Sequence, residues 1–237
     1  MNAQQAGIRL GAGPSPLAQV IARSWILACA VAEFIGMGSG ALLARAASPG
    51  GEASSALPAI GGGAVTGLIE GAALGVLQWR VLTTRFPGLA APRWVGITTA
   101  AAVAGWTLGS LPATTSSQGG SKPPLLLTTV LAAGLGAGMG LLFGAAQWLV
   151  LRHHARDAHM WVVANIAGWA AAMPVIFAGA SAPTAETPIA AVAAIGALTG
   201  AFAGAVLGAI TAPWLVRLRP RRGVRRRSSG EGSGGSC

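Results

Sequence analysis

Long apolar runs, separated by short polar or proline-containing gaps, dominate the chain and predict membrane-spanning helices. A helix needs about 20 apolar residues to cross a bilayer core. Six runs are long enough: 24–45, 58–80, 94–113, 125–151, 160–181 and 189–216. The gaps of roughly 8 to 15 residues leave no room for a soluble domain. We therefore expect an all-α integral membrane protein with six transmembrane helices.

The composition agrees with a bilayer location. Hydrophobic residues make up 53% of the 237 positions and charged residues only 9%, which is too few ionisable groups to cover a soluble globule. The net charge of +10 comes largely from seven arginines between positions 217 and 227, so it does not indicate nucleic-acid binding. We expect the segment 219–237 to be a disordered cytoplasmic tail whose arginines contact anionic lipid headgroups.

The distribution of positive charge predicts the orientation in the membrane. All of the 16 Lys and Arg residues except Arg45 and Lys122 fall on one side of the six-span arrangement. The positive-inside rule then places both termini in the cytoplasm, with the chain in the inner (plasma) membrane. Six of the eight tryptophans fall at the ends on the same side, as an aromatic belt would: Trp25, Trp79, Trp94, Trp148, Trp161 and Trp214.

The first apolar run also has a competing interpretation. Arg23, the apolar stretch after it and A-R-A at 44–46 resemble a cleaved signal peptide. Such a signal would start unusually late and would carry Glu33 in its apolar core. We therefore treat the run as the first span and 1–22 as a short cytoplasmic N-terminal segment.

Three of the spans carry glycine at every fourth position, a pattern that we call a glycine ladder. Its recurrence predicts an internal repeat. The segment 71–82 matches 140–151 with an offset of 69, and the sixth span repeats the ladder and its polar end. A-G-W at 104–106 and at 167–169 corresponds to A-E-F at 32–34. We predict three two-helix hairpins of the same orientation, at about 23–85, 92–155 and 159–218.

The ladders are typical of helix packing surfaces in lipid, where helices associate through close backbone approach. Helical periodicity places Gln78, Gln147 and Thr211 on or beside the same stripes, so we expect them to be polar packing or pathway residues that face protein. The predicted packing glycines are Gly63, Gly67, Gly71, Gly75, Gly136, Gly140, Gly144, Gly196, Gly200, Gly204 and Gly208.

Two carboxylates, Glu33 and Glu70, interrupt this pattern in the first unit only. Each lies eight or nine residues from a tryptophan at the cytoplasmic end, so both fall roughly 12 to 14 Å deep, near the bilayer middle. No Lys, Arg or His occurs at that depth, and we expect one or both acids to be protonated at neutral pH. In the other two units, Gly105 and Gly168 align with Glu33, and Met139 and Ala203 align with Glu70.

Other signs of chemistry are weak. The histidines of 153–159 fall in a short loop without a second histidine group within the membrane, so they predict an interfacial loop rather than a haem or zinc site. Cys29 and Cys237 do not suggest a disulfide. No nucleophile elbow and no H-E-x-x-H occurs, so we expect neither an enzyme nor a metal or cofactor site.

The motif G-x-x-x-G-x-x-Q-W-x-V-L, followed by W-V and then G-W, resembles multi-pass bacterial membrane proteins that repeat this phrase. The resemblance covers residues 63–169. It implies an inner-membrane location and carries over no functional residues, because that family has no established activity.

Two functions are compatible with these patterns. The first is a small transporter or channel-like bundle in which Glu33 and Glu70 form a midplane proton or cation site. The second is a non-catalytic accessory, scaffold or assembly subunit that packs against another membrane protein, with both acids acting as neutral hydrogen-bonding clamps. The sequence does not identify a substrate.

Overall fold

The structure, a computed structural model, describes residues 15–47, 56–115 and 124–221, and within these ranges the chain is all-α. The predicted N-terminal segment up to position 14 and the arginine-rich tail from 222 onward, with Cys237, lie outside the described residues, as does Lys122. The six helices are α1 (Pro16–Ala47), α2 (Ala56–Leu82), α3 (Ala91–Thr115), α4 (Leu125–Leu151), α5 (Met160–Ala180) and α6 (Ile189–Arg217).

The helix boundaries follow the prolines that the sequence places between the apolar runs. Pro124 and Pro188 precede α4 and α6 with extended ψ angles of 144°, as expected for a residue that fixes φ and has no N–H to donate. α1 begins at Pro16, earlier than the predicted 24, and Ser15 Oγ accepts a hydrogen bond from the N–H of Ala18 at 3.3 Å. Residues 16–23 are mostly apolar, with Gln19 and Arg23 as the exceptions, so they continue the first helix toward its N-terminus.

The expectation of a multi-pass membrane protein is confirmed at the level of helix length and composition. Among the described residues, five helices are long and apolar enough to cross a membrane, namely α1, α2, α4, α5 and α6. α3 has the length, at 25 residues, but several threonines and a serine interrupt its apolar residues.

The helices form a closed ring in chain order, because each packs on its sequence neighbours and α6 packs on α1. The closest neighbours are α6 with α1, α2 with α3, and α4 with α5. The seam between α3 and α4 has the least contact of the six neighbouring pairs. The closest pairs therefore join helices of different predicted hairpins rather than the two helices of one hairpin.

Glycines of α2, α4 and α6 lie at the three closest interfaces. A Cβ at Gly67 would lie 2.7 Å from Ala102 O, and a Cβ at Gly208 would lie 2.7 Å from Ile26 Cα. No side chain fits between backbones at such distances, so glycine is required for this approach. The ladder positions on α4 behave in the same way against α5: Gly136, Gly140 and Gly144.

Three tryptophans that the sequence assigned to an interfacial belt instead lie inside the ring. Trp25, Trp94 and Trp161 are buried, each with at most 1% of its surface exposed. Only Trp79, Trp148 and Trp214 of the predicted six are partly exposed. The belt prediction was wrong for half of its members, because a tryptophan at a given depth can turn its indole toward the bundle axis as readily as toward the headgroups.

The loops and the adjoining helix turns at one end of the ring carry the arginines of the described residues other than Arg45, and we call this the arginine-rich end. Its α2–α3 and α4–α5 loops meet residues 218–221, which follow α6. Arg156 N donates to Arg219 O at 3.0 Å, and Arg221 N donates to His154 O at 2.8 Å. The described start of the predicted disordered tail is thus fixed by backbone hydrogen bonds.

Candidate functional site

The two carboxylates singled out in the sequence, Glu33 of α1 and Glu70 of α2, line one cavity inside the ring. Both are buried, with 1% and 2% of their surfaces exposed. The cavity has a volume of about 180 Å³ and is lined by residues from α1 to α5. We call it the acid cavity; its remaining lining residues are Met37, Gly105, Trp106, Gly109, Ser110, Leu135, Met139, Trp169, Met173, Ile176 and Phe177.

Glu70 is held in place by its neighbours on both sides. The indole N–H of Trp106 on α3 donates to Glu70 Oε2 at 2.8 Å. On the other side Glu70 packs on Gly36 of α1, where a Cβ would lie 2.7 Å from both Glu70 Cβ and Glu70 Oε2. A glycine at 36 therefore makes room for the carboxylate, and the tryptophan fixes its orientation.

Glu33 differs from Glu70, because neither of its carboxylate oxygens has a hydrogen-bond partner among the described residues. Its backbone and stem are tightly packed: Gly200 lies against its carbonyl, and a Cβ at Gly204 would lie 2.8 Å from Glu33 Cγ. A buried polar group without a partner costs free energy. Glu33 therefore brings to the wall of the cavity a buried acid group whose hydrogen-bonding capacity is unused among the described residues.

The rest of the acid cavity is apolar and rich in sulfur and aromatic rings. Three of the five methionines of the chain line it, one each from α1, α4 and α5: Met37, Met139 and Met173. Trp106, Trp169 and Phe177 supply aromatic surface. Methionine side chains are flexible and polarisable, so such a wall adapts its shape to an occupant. The sequence reasoning missed these residues, because single methionines in apolar helices form no pattern.

A second, larger cavity of about 450 Å³ lies beyond the acid cavity, toward the end of the ring opposite the arginine-rich end. The two cavities share Met37 and Trp106 as lining residues. Arg45 lines the outer one and donates hydrogen bonds to the backbone carbonyls of the α5–α6 loop, including one to Thr187 O at 3.1 Å and one to Ala185 O. The arginine thus ties the end of α1 to that loop.

The other predicted polar residues, Gln78, Gln147 and Thr211, do not lie with the carboxylates. They form a separate buried group nearer the arginine-rich end, together with three tryptophans. We call this group the Trp-Gln layer, and it consists of Trp25, Trp94, Trp161, Gln78, Gln147 and Thr211.

Direct hydrogen bonds connect most of the Trp-Gln layer. Gln147 Oε1 accepts from the indole of Trp161 at 2.8 Å, and Gln147 Nε2 donates to Gln78 Oε1 at 3.0 Å and to Thr98 Oγ1 at 3.2 Å. The indole of Trp25 donates to Thr211 Oγ1 at 2.8 Å. The Trp94 indole is the exception, since its N–H has no partner among the described residues.

The glycine contacts also correct the alignment of the odd-numbered helices. Gly67, Gly136 and Gly200 each lie against one carbonyl on the neighbouring helix, and those carbonyls belong to Ala102, Trp169 and Glu33. In this contact Glu33 corresponds to Ala102 and Trp169, and not to Gly105 and Gly168 as the A-G-W motif predicted. The A-G-W motif misled because its two copies lie at different distances, twelve and eight residues, from the buried tryptophans Trp94 and Trp161.

Within the part of the chain that the structure describes, no group of three or more His, Cys, Asp or Glu side chains is placed to hold a metal ion. His153, His154 and His159 all lie in or beside the α4–α5 loop at the arginine-rich end. Burial, and then the charges of His153 and Arg93, lower the pKa of His154 below its ordinary value of 6.5.

Comparisons of this chain with protein-family models, with curated proteins and with solved structures found no match.

Proposed function

We propose that the protein is a small transporter or channel-like helical bundle in which Glu33 and Glu70 form a proton or cation site. The observation that carries this proposal is the environment of Glu33. Its two carboxylate oxygens are buried and have no partner among the described residues, and Glu33 is one of the residues that line the acid cavity. Ionisable groups inside membrane proteins are costly, and they commonly mark ion or proton pathways.

The alternative role for the acids, as neutral clamps between helices, fits Glu33 poorly. A clamp stabilises the bundle only by making hydrogen bonds, as Gln147 does with Gln78, Thr98 and Trp161. The Glu33 carboxyl group makes none to the described residues, so its burial lowers the stability of the bundle and no hydrogen bond offsets the loss. A proton, a cation or a water molecule in the cavity would supply the missing partner.

The access route supports a pathway from one side of the membrane. The outer cavity with Arg45 adjoins the acid cavity through Met37 and Trp106. Toward the arginine-rich end, the Trp-Gln layer is buried and densely hydrogen-bonded. Movement of the shared Met37 and Trp106 side chains would join the two cavities and open the site to one side only, which is what an alternating-access transporter requires in one of its states.

The experiment uses the purified protein in liposomes that enclose a pH-sensitive dye, with a potassium diffusion potential as the driving force. Glu33→Gln and Glu70→Gln are expected to lower the proton flux at least about tenfold, because a carboxamide cannot carry the proton. Glu186→Gln is the matched control, since Glu186 lies in the exposed α5–α6 loop and its loss should leave the flux unchanged. Equal flux in the wild type and Glu33→Gln, or no flux above that of empty liposomes, would overturn the proposal.

A second candidate function is an accessory or assembly subunit of a membrane complex, and one observation on α4 favours it. Gly134 and Gly138 are exposed, and a Cβ at either would have no neighbour within 4 Å. Glycines four residues apart on an open helix face are typical of helix association in membranes. Co-purification of a second membrane protein that Gly138→Leu abolishes would favour this function over transport.

The predicted three-fold repeat is part of the proposal. The proposal is supported by a close helix contact that occurs three times. Glycines of α2 pack against the backbone of α3, glycines of α4 against that of α5, and glycines of α6 against that of α1. Gln78, Gln147 and Thr211 also take corresponding places near the ends of the glycine-bearing helices. The repeated unit that these contacts favour pairs each even helix with the odd helix that follows it around the ring.

We further propose that the arginine-rich end faces the cytoplasm of a bacterial cell, with both termini on that side. The arginines of the α2–α3 loop, the α4–α5 loop and the segment after α6 lie together at this end, as the positive-inside rule requires. The tail beyond 221 would then meet anionic lipid headgroups. Labelling of Thr83→Cys, introduced into a background that carries Cys29→Ala and Cys237→Ala, by a membrane-impermeant thiol reagent tests the orientation; reaction in intact cells would contradict it.

A further inference from the structure

The walls of the acid cavity combine features that suit one class of cation. Two carboxylates lie among three methionines and three aromatic side chains. We infer that the acid cavity binds a small lipophilic organic cation, a quaternary or protonated amine carrying one aromatic ring, and that this cation enters from the lipid through the α3–α4 seam. The inference rests on the proposed function and names its substrate class.

The size of the cavity limits the occupant. At about 180 Å³ it is slightly larger than an engineered apolar cavity of about 150 Å³ that admits benzene. A single substituted ring fits this volume. An inorganic cation bound directly to the walls is unsuited, because hard cations such as calcium take about six to eight oxygen ligands. Apart from backbone carbonyls, the oxygen groups on these walls belong to Glu33, Glu70 and Ser110.

The polar atoms of the cavity favour a cation over a neutral aromatic molecule. Glu70 Oε2 is occupied by the Trp106 indole, and the Ser110 hydroxyl donates to Trp106 O at 2.8 Å. Glu33 is left with two oxygens that have no partner among the described residues. A bound cation would give this carboxylate its counter-charge. Trp106, Trp169 and Phe177 would offer ring faces, which attract quaternary ammonium groups.

The α3–α4 seam supplies a route from the lipid. α3 and α4 have the least contact of any neighbouring pair in the ring. Gly109 of α3 and Leu135 of α4 both line the acid cavity and are both exposed. A Cβ at Gly109 would have no neighbour within 4 Å. The cavity therefore reaches the outer surface of the ring at this seam, where an amphipathic molecule dissolved in the bilayer would arrive.

The test compares two ligands of the same shape on the wild-type protein in lipid nanodiscs. Phenyltrimethylammonium carries a positive charge, and tert-butylbenzene is its neutral counterpart, with carbon in place of nitrogen. Radiolabelled phenyltrimethylammonium is expected to bind saturably, and tert-butylbenzene is expected to compete weakly. Equal affinity for the two ligands, or no saturable binding of the cation, would overturn the inference. Silver(I) binding without binding of the organic cation would overturn it in favour of a soft metal held by the methionines.

Variants locate the site and the route. Glu33→Gln should weaken phenyltrimethylammonium binding roughly thirtyfold, because it removes one partner of a buried charge pair, while Glu186→Gln should bind as the wild type does. Gly109→Leu should slow cation association about tenfold or more by filling the seam. Gly96→Leu is its control, since Gly96 is also an exposed glycine of α3 with no neighbour within 4 Å and does not line the cavity. Equal slowing by both variants would remove the lateral route.

Failure of this inference is distinguishable from failure of the proposed function. Proton flux that depends on Glu33, together with no binding of phenyltrimethylammonium, would overturn the organic cation as substrate and keep the carboxylate pathway. Saturable binding that depends on Glu33, with no flux in liposomes, would keep the binding site and overturn transport.

Discussion

The Trp-Gln layer and the acid cavity are two polar regions inside one apolar ring, and they are built in opposite ways. In the Trp-Gln layer, Gln147 uses both its oxygen and its nitrogen in hydrogen bonds at 2.8 to 3.2 Å. In the acid cavity, Glu33 uses neither of its carboxylate oxygens with the described residues, and empty volume lies beside it. Glu33 and Gln147 are equally buried, each with 1% of its surface exposed, so burial alone does not separate them.

Hydrogen-bond satisfaction is therefore a better guide to the role of a buried polar residue than burial or depth. Satisfied polar groups stabilise a packed arrangement, because separating the helices would leave their donors and acceptors without partners in lipid. An unsatisfied acid beside a void lowers stability and leaves a place for an occupant. This contrast supports the proposal that the Trp-Gln layer stabilises the ring and that the acid cavity binds a ligand.

The largest expected change in the free energy of unfolding comes from removing Gln147, the central amide of the Trp-Gln layer. Gln147→Leu leaves Gln78 Oε1, Thr98 Oγ1 and the Trp161 indole without this partner, and should lower the free energy of unfolding by about 3 kcal/mol. Denaturant unfolding in mixed micelles measures it. Thr129→Val on the same helix is the control, because the Thr129 hydroxyl bonds only its own helix at an exposed position. A loss equal to that of the control would show that the layer does not hold the ring together.

A substitution at Glu33 in the acid cavity is expected to change the free energy of unfolding in the opposite direction. Glu33→Leu replaces an unpartnered acid by an apolar side chain of similar volume, and should raise the free energy of unfolding by about 1 to 2 kcal/mol. The same unfolding assay measures the change, and the proton flux of the variant should be lost. A destabilised Glu33→Leu protein would mean that Glu33 has a structural partner and that the two regions are not built in opposite ways.

A smaller effect distinguishes two tryptophans of the Trp-Gln layer. Trp161→Phe removes an indole N–H that bonds Gln147, and should cost about 1 kcal/mol more than Trp94→Phe, whose indole N–H has no partner among the described residues. The two side chains are equally buried, so the apolar part of the change is matched. Equal losses in thermal unfolding would contradict the role given to the hydrogen bond.

The smallest effect lies outside both regions, in the α4–α5 loop. Because burial holds the pKa of His154 below 6.5, the unfolded chain binds a proton more readily than the folded protein does. Stability should therefore fall as the pH is lowered through 6.5, and the full contribution should be present above that pH. His154→Gln removes this part of the acid sensitivity in melting temperatures measured between pH 5 and 8. An unchanged pH profile in the variant would exclude His154 as its source.

Much of the architecture could be read from the sequence because the bilayer imposes simple rules. The six helices follow from the lengths of the apolar runs and from prolines such as Pro124 and Pro188. The close interfaces occur where the glycine ladders are, since only glycine lets backbones approach so closely in lipid. The odd-numbered helices were harder to align, because A-G-W at 104–106 and 167–169 suggested a register that the carbonyl contacts of Ala102 and Trp169 contradict.

Helix rise and the lengths of the apolar runs were enough to predict two carboxylates at one depth in an apolar helical protein. The direction and the contacts of each side chain followed only from the packing of the helices. This packing placed Trp106 on Glu70, left the oxygens of Glu33 without a partner among the described residues, and brought Met37, Met139 and Met173 to the same cavity. The physical reason is that depth is a property of one helix, whereas a cavity and its hydrogen bonds depend on how five helices are rotated against one another.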